Sequence, residues 1–366
     1  MHSTKRIERK LSGLHGKSDV HLIGNATSGI TMALNAAGIK NKKVAIPNNV
    51  CVNVPMAVIF SGNEPLYLDI LEDDLGLNPK HLIEHINEIS AVITVHAYGA
   101  ICQIKAIKNI CKSNNVFLIE DCCLAQGASV NSTPVGSFGD ISLFSFGAGK
   151  IIDHGHGGAV LSDDFHLIKK IRELSDMLPN YDLLNREMLR EFFAYHTQLY
   201  NKYYGNDINQ FFPRYREWVI KVRKSFFHKY DNNYTDSIEK SLSDLNNNIE
   251  NRQIKVKNFH KLFSQLDTSK VKIFFHPKGS VYWRFSLFVK KNRNKLLHHL
   301  LKKSFKVSSW QPSVNLFFED RSAIMPKTPV SDLVGDTIIN LWVNEEVGEK
   351  YANEISYEIN NYICDN

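Results

Sequence analysis

Between residues 20 and 165 one pattern recurs: a short apolar run, a turn, then a segment with apolar residues at helical spacing. His21-Leu22-Ile23-Gly24, Lys43 to Ile46, Pro65 to Asp69, Ala91 to His96 and Val116 to Glu120 read as strands. Ser28 to Ala37, Asn53 to Phe60 and Ile104 to Lys112 read as helices. Apolar strands alternating with helices predict a mostly parallel sheet covered on both faces. Open sheets of this kind bind ligands beyond the carboxyl ends of their strands. The charged residues found there carry the functional argument.

Two strands deliver such residues. Val116 to Glu120 runs into Asp121, and Ile141-Ser142-Leu143-Phe144-Ser145-Phe146 is followed by Lys150. Glycines at 147, 149, 155, 157 and 158 let backbone pass close to a bound group around that lysine. A lysine amine, with an ordinary pKa of about 10.4, bonds a carbonyl carbon only from its neutral form. A carboxylate at a strand end can pair with a protonated pyridine nitrogen and keep the ring an electron sink. Together the two residues read as machinery for holding pyridoxal 5′-phosphate. Each alone has a plainer reading, the lysine as a surface-loop residue and the aspartate as a cap on the next turn. A dinucleotide fingerprint does not fit, because Gly147 and Gly149 lack the third glycine before an apolar helix.

Gly24-Asn25-Ala26-Thr27-Ser28-Gly29 precedes the apolar Ile30 to Leu34 and offers N–H groups and hydroxyls to a phosphate. Thr27 and Ser28 serve equally well as ordinary N-caps. Ser145, five residues before Lys150, is a second phosphate candidate.

With 366 residues and 43% hydrophobic content, the chain can bury a full core and divide in two. Beyond residue 166 the texture turns to long aromatic-rich and lysine-rich helical segments. Val271 to Phe275 and Val281 to Val289 then read as strands, Asn294 to Lys303 as a helix, and residues 345 to 362 as a closing helix. A large domain over 1–245 and a smaller α+β domain over 246–366 are expected. The apolar run Val54 to Phe60 is far shorter than the roughly 20 residues that span a bilayer, and residues 1–15 are polar and basic. A soluble cytoplasmic protein without a membrane partner is expected.

The net charge of +6 comes mainly from lysines scattered over 219–310, with no aromatic-basic recognition motif, which argues against a nucleic-acid partner. None of the six cysteines falls in a CxxC pair, so they read as reduced, mostly buried thiols. His154 and His156 form an HxH pair without a third ligand at convincing spacing, so loop packing or substrate contact is preferred and no metal is expected. His96 suits either a cofactor contact or a satisfied core histidine.

Five blocks carry a family resemblance: Gly24 to Leu34, Pro47 to Ile70, Val95 to Gly99, Ile119 to Ala128, and Ser145-Phe146 through Lys150 to Gly158. In this order they resemble the DegT/DnrJ/EryC1/StrS sugar aminotransferases. The resemblance implies an aspartate-aminotransferase-like fold of type I, with a mostly parallel seven-stranded sheet and a smaller C-terminal α+β domain. It makes Lys150 the Schiff-base lysine and Asp121 the pyridinium partner, the two catalytic residues. Ala26, Thr27, Ser28 and Ser145 become the phosphate neighbourhood, and Cys51, Leu124 and Gln126 the surroundings of the ring. It further implies transfer of an amino group from glutamate to a keto-sugar nucleotide, in polysaccharide biosynthesis, by a homodimer with sites at the subunit interface.

Departures from the family pattern keep other readings open. Leu124 stands where glutamine or histidine is usual, Cys51 where an aromatic often covers the ring, and His156 where glutamate is usual. No clear copy of the family's asparagine-tyrosine-arginine segment lies near Asn232-Asn233-Tyr234. A small phosphorylated ketone is then a second acceptor class. A pyridoxal-dependent sugar dehydratase is another reading, against which the retained Lys150 counts, and a non-catalytic regulatory protein is a third. Arg214, Arg252 and Arg284 suit a carboxylate or phosphate in chemistry, but each reads singly as structural or surface. By resemblance, Trp310 and Trp342, with Asn315 and Asn340, fall where the second domain closes over substrate.

Overall fold

The structure, a computed structural model, describes residues 2–203, 212–318 and 325–365. Its strands are β1 (Asp19–Ile23), β2 (Lys43–Pro47), β3 (Glu64–Leu68), β4 (Ile89–Val95), β5 (Phe117–Asp121), the hairpin β6 (Ser129–Val130) and β7 (Thr133–Pro134), β8 (Ile141–Ser145), β9 (Gly158–Ser162), β10 (Val271–Ile273), β11 (Arg284–Val289), β12 (Val307–Ser308) and β13 (Ile338–Trp342). Seven of them form one sheet in the order β1-β9-β8-β5-β4-β2-β3. The pairings β3/β2, β2/β4, β4/β5 and β5/β8 are parallel, while β9 lies antiparallel to both β8 and β1. The expected mostly parallel sheet is present. The antiparallel strand β9, second from the edge, was not foreseen, because Gly158 to Ser162 follows a glycine-rich loop without a helical crossover.

The strand order places a switch point between β2 and β4. From β2 the chain steps outward to β3, whereas from β4 it steps the other way to β5, so the connections leave a crevice beyond the carboxyl ends of β2 and β4. Helices press against this sheet closely. Asn25 caps the helix Ala26–Ala36 by accepting the Ser28 N–H at 2.9 Å. Gly29 in that helix leaves no room for a side chain, since a Cβ there would come within 2.7 Å of Leu143 Cδ2 on β8.

A second sheet, ordered β10-β11-β13-β12, is antiparallel throughout. One core joins the two sheets: Leu22, Phe144 and Leu161 cluster with Trp283, Phe288 and Ile338. The helix Leu245–Leu262 contributes Leu245 to that core and Val256 and Phe259 to another beneath the second sheet. The N-terminal segment, read from sequence only as polar and basic, forms the helix His2–His15 and buries Ile7 and Leu11, four residues apart on one face. Among the described residues no helix is long and apolar enough to cross a membrane.

Candidate active site

Asp121 ends β5, paired across the sheet with Val95 on β4 and Leu143 on β8. It is 5% exposed, and its Oδ1 accepts the Cys123 N–H at 2.9 Å. Lys150 follows β8 on a loop braced from two sides. Asp153 accepts the N–H groups of Gly149 at 2.7 Å and Gly155 at 3.2 Å, and the Trp283 indole N–H donates to the Gly149 carbonyl at 2.5 Å. The last bond ties the loop to the end of β11 in the second sheet.

Both residues line one cavity at the switch point. Asn49, Val50 and Cys51 enter from the end of β2, Ala97 and Tyr98 from the end of β4, and Cys123 and Leu124 from the turn after Asp121. Trp283 and Gln311 close it. Among the described residues no basic group lies within 4.0 Å of the Asp121 carboxylate and no acidic group within 4.0 Å of the Lys150 amine. A buried carboxylate needs a donor partner. The Cys123 N–H occupies only Oδ1, and an aromatic ring bearing an N–H at one end and a carbonyl carbon at the other would supply a donor for the second oxygen, so the residues present fit pyridoxal phosphate.

The surrounding chemistry is quiet. Burial pushes the Cys123 thiol well above its ordinary range, and Asp121 adds to this against the opposing charge of Lys150. Burial also raises the Cys51 thiol, with Lys150 pulling the other way. Neither thiol ionises near neutral pH. The Tyr98 hydroxyl donates to Asn49 Oδ1 at 2.9 Å and accepts the Gln311 N–H at 2.7 Å, joining the ends of β2 and β4 to the chain beyond β12. Tyr98 holds φ at 58°, a left-handed conformation unusual for a bulky residue, stabilised by its carbonyl accepting the Trp283 N–H at 3.2 Å.

Of the sequence candidates, Cys51, Asp121, Leu124 and Lys150 meet at this cavity. Gln126 does not line it; it is 2% exposed and its Nε2 has no hydrogen-bond partner. Ala26, Thr27, Ser28 and Ser145 also lie off the lining but near one another. Ile23 pairs with Gly158, Gly158 pairs with Ser145, and Ser145 stands two residues beyond the partner of Asp121 on β8. Asn25, not Thr27 or Ser28, caps the helix, and Ser28 Oγ donates to the Asn25 carbonyl.

His96 is a core residue. Its Nδ1 accepts the Cys102 N–H, so Nε2 carries the proton and donates to Glu120 at 3.1 Å. His154 bonds Ser241, while His156 accepts the Asp231 N–H amid the rings of Tyr181, His228, Tyr230 and Tyr234, so the HxH pair serves two separate contacts. Asn49, Tyr98, Cys123, Trp283 and Gln311 were missed as site residues. Asn49, Tyr98 and Cys123 sit inside motif blocks, but nothing in the sequence distinguishes a lining residue from its neighbours.

Arg252 and Arg284 are not surface residues: they are 4% and 5% exposed and line a second cleft that also reaches Lys150. The side chain of Arg214 lies outside the described residues. Trp342 lines the second cleft, Trp310 packs on His196, and Asn315 and Asn340 accept hydrogen bonds from Asn48 and Ser286.

A mostly parallel seven-stranded sheet, a smaller antiparallel one beside it, and a strand-end aspartate facing a loop lysine define the architecture of fold-type I pyridoxal-phosphate enzymes. The chain belongs to the DegT/DnrJ/EryC1/StrS aminotransferase family, whose model matches residues 2–199. It is 33% identical over 156 residues, 42% of each chain, to a GDP-perosamine synthase of Vibrio cholerae. A dTDP-4-amino-4,6-dideoxy-D-glucose transaminase of Shigella dysenteriae is 29% identical over 182 residues, 50% of this chain and 48% of that one. The matched stretch thus spans about half or less of these relatives. Across nearly the whole chain the fold is that of DesI in the presence of its TDP-sugar product, at TM-score 0.80 and 19% identity, with 99% of this chain and 85% of that one covered. The aminotransferase TlmJ from Streptoalloteichus hindustanus matches at TM-score 0.80 and 18% identity, over 99% and 91% of the two chains.

Proposed function

We propose that this chain is an aminotransferase that moves an amino group from L-glutamate to the ketone carbon of a sugar nucleotide, using pyridoxal 5′-phosphate. The observation that carries the reading is the shared cavity of Asp121 and Lys150, each without a counter-charge within 4.0 Å among the described residues. The names of the relatives from Vibrio cholerae and Shigella dysenteriae, and the TDP-sugar product of DesI, support the substrate class.

When bound, the cofactor supplies an electron-poor ring that stabilises negative charge at the substrate carbon. Asp121 accepts the hydrogen bond of the ring N–H and so keeps that nitrogen protonated. Lys150 Nζ would anchor the cofactor and, when free, would be the group that moves a proton at the substrate carbon. The braces from Asp153 and Trp283 hold its loop so that the amine returns to the same place. Cys51 and Leu124 present apolar surface to the ring, a contact that a stacked aromatic and a polar side chain make elsewhere in the family. Ser145, with the start of the helix Ala26–Ala36, would hold the phosphate, since the Ser28 N–H and hydroxyl are both given to Asn25. We infer a homodimer with each site completed across the interface, in keeping with the family.

Borohydride reduction of the cofactor-loaded protein followed by peptide mapping tests the assignment. The label is expected on Lys150 and absent from Lys150→Ala; a label elsewhere, or one retained by that variant, overturns it. Glutamate should then yield 2-oxoglutarate stoichiometrically, and keto-sugar nucleotides should regenerate the starting form. A failure with glutamate and every other amino donor would favour the non-catalytic reading.

A further inference from the structure

The second cleft, of about 630 Å³, opens on the far side of the Lys150 loop, between the helix Leu245–Leu262 and the end of β13. Two arginines are buried in its wall, and neither has a carboxylate within 4.0 Å among the described residues. Arg252 is fixed by Nε to Asn248 Oδ1 at 2.7 Å and by Nη1 to the Tyr282 and Trp283 carbonyls. Arg284 lies between two indoles, 4.2 Å from the Trp283 ring centre and 4.0 Å from that of Trp342. Its Nη1 donates to the Trp283 carbonyl at 2.8 Å, while its buried Nε has no partner.

Two buried guanidinium groups side by side are unfavourable unless an anion joins them. Burial lowers the Arg284 pKa to about 9, with Arg252 as the next cause, and burial lowers that of Arg252 to about 10. Each is still charged at neutral pH. The acidic residues of the cleft act on the arginines only from beyond ion-pair distance: Asp153 and Glu345 support the charge of Arg252, and Asp153 and Glu346 that of Arg284. Asp153 holds the backbone of the lysine loop, Asp244 accepts from Asn247, Glu346 pairs with Lys306 at 2.8 Å, and Glu345 is exposed. Stacking between indoles also orients the guanidinium plane of Arg284 before any ligand arrives, which suits paired oxygens.

We propose that Arg252 and Arg284, with Lys255 beside them, bind an oxyanion of the substrate, a carboxylate or phosphate carried by the molecule whose reacting carbon lies at Lys150. This rests on the aminotransferase reading for its purpose but not for its detection. The Trp283 indole links the two, since its ring flanks Arg284 and its N–H holds the Gly149 carbonyl next to Lys150. An anion seated on Arg284 is thereby sensed at the loop that carries the amine.

Trp283 and Trp342 are two of the four tryptophans, so the protein's own fluorescence reports occupancy. Protein loaded with pyridoxal phosphate, which keeps the cofactor's own phosphate site filled, is titrated with inorganic phosphate and, separately, with glutarate, at constant ionic strength set with chloride. Saturable fluorescence change and a raised melting temperature are expected for at least one anion. Arg284→Gln and Arg252→Gln should each weaken it by about 30-fold or more. Arg284→Lys should recover only part, because an ammonium lacks the fork, and Lys112→Gln on the exposed face of the helix Ile104–Ser113 should change nothing. Selective phosphate binding assigns the site to the acceptor and selective glutarate binding to the amino donor; response to both makes it a subsite shared by the two half-reactions. No saturable response to either anion in the wild type overturns the proposal, even if the arginine variants prove unstable. Borohydride labelling of Lys150 in Arg284→Gln separates the readings: a label retained with anion binding lost upholds both, while anion binding without any label on Lys150 upholds this site and overturns the cofactor assignment.

Discussion

Replacement of Glu120 by glutamine is expected to cost the folded protein about 3 kcal/mol at pH 7, and the origin is local. Glu120 directly precedes Asp121 on β5 and is fully buried. Its Oε2 accepts the N–H groups of Phe138 at 2.8 Å and Gly139 at 2.9 Å and the Ser142 hydroxyl at 3.2 Å; Oε1 accepts the Gly136 N–H at 2.7 Å and the His96 Nε2–H. Burial raises the carboxyl pKa, but the donors from His96, Gly136 and Gly139 outweigh it and hold the pKa at about 2, against an ordinary 4.5. That difference corresponds to roughly 3 kcal/mol in favour of the folded state. Glutamine keeps the shape but turns an NH₂ toward backbone donors, so one cluster of bonds is replaced by an opposed pair. With an unfolding entropy of about 2.1 cal/mol/K per residue, the loss lowers the melting temperature by about 4 °C. The sign in pH follows from the lowered pKa. The contribution is fully present above pH 4.5 and disappears as pH falls through 2. Glu120→Gln and the wild type should therefore differ by the same amount at pH 7 and pH 5.5, and by less at pH 3.5. Scanning calorimetry at the three pH values measures this. Equal melting temperatures at pH 7, or a difference that does not shrink in acid, would refute the charged-acceptor argument.

The buried histidines act in a higher pH window. Burial, with a further push from His228, lowers the His156 pKa to about 4, so the unfolded chain takes up its proton below pH 6.5 before the folded one does. Stability is lost as pH falls from 6.5 to 4, and His156→Phe should flatten that slope by one proton in a series of melts. Gly99→Ala should melt well below the wild type or fail to accumulate as folded protein. Gly99 has φ of 83°, and a Cβ there would meet the backbone of Val281, with Leu124 O and Trp283 N each at 3.0 Å. Backbone cannot swing aside, so a cost of about 3 kcal/mol or more is expected.

Strand and helix positions along the first 165 residues were legible because the signal is local. Continuous apolar runs such as Ala91 to Val95 can be buried on both faces only in a parallel sheet, and the helix Asn53–Phe60 falls where its apolar spacing placed it. Asp121 and Lys150 were legible for the same reason: each follows a strand end, and its chemistry is uncommon there. The strand β9 and the short strands β12 and β13 were not. Their pairing partners lie far along the chain, and Ile338 to Trp342 becomes a strand only by lying against β11. The wall of the cavity was hidden likewise. Trp283 and Gln311 reach it from the second sheet region, and a sequence carries no local mark of which side chains converge after such a turn.

By itself, then, the sequence determined the sheet class, the family and the pair of residues suited to a pyridine ring, since these rest on periodicity and on residue chemistry at strand ends. Tertiary structure decided what surrounds that pair. It made Arg252 and Arg284 buried neighbours with no carboxylate within ion-pair distance among the described residues, made His96 a core residue, and hung the Lys150 loop from an indole more than a hundred residues away. Burial and charge pairing are properties of the folded surroundings, and no residue's own identity specifies them.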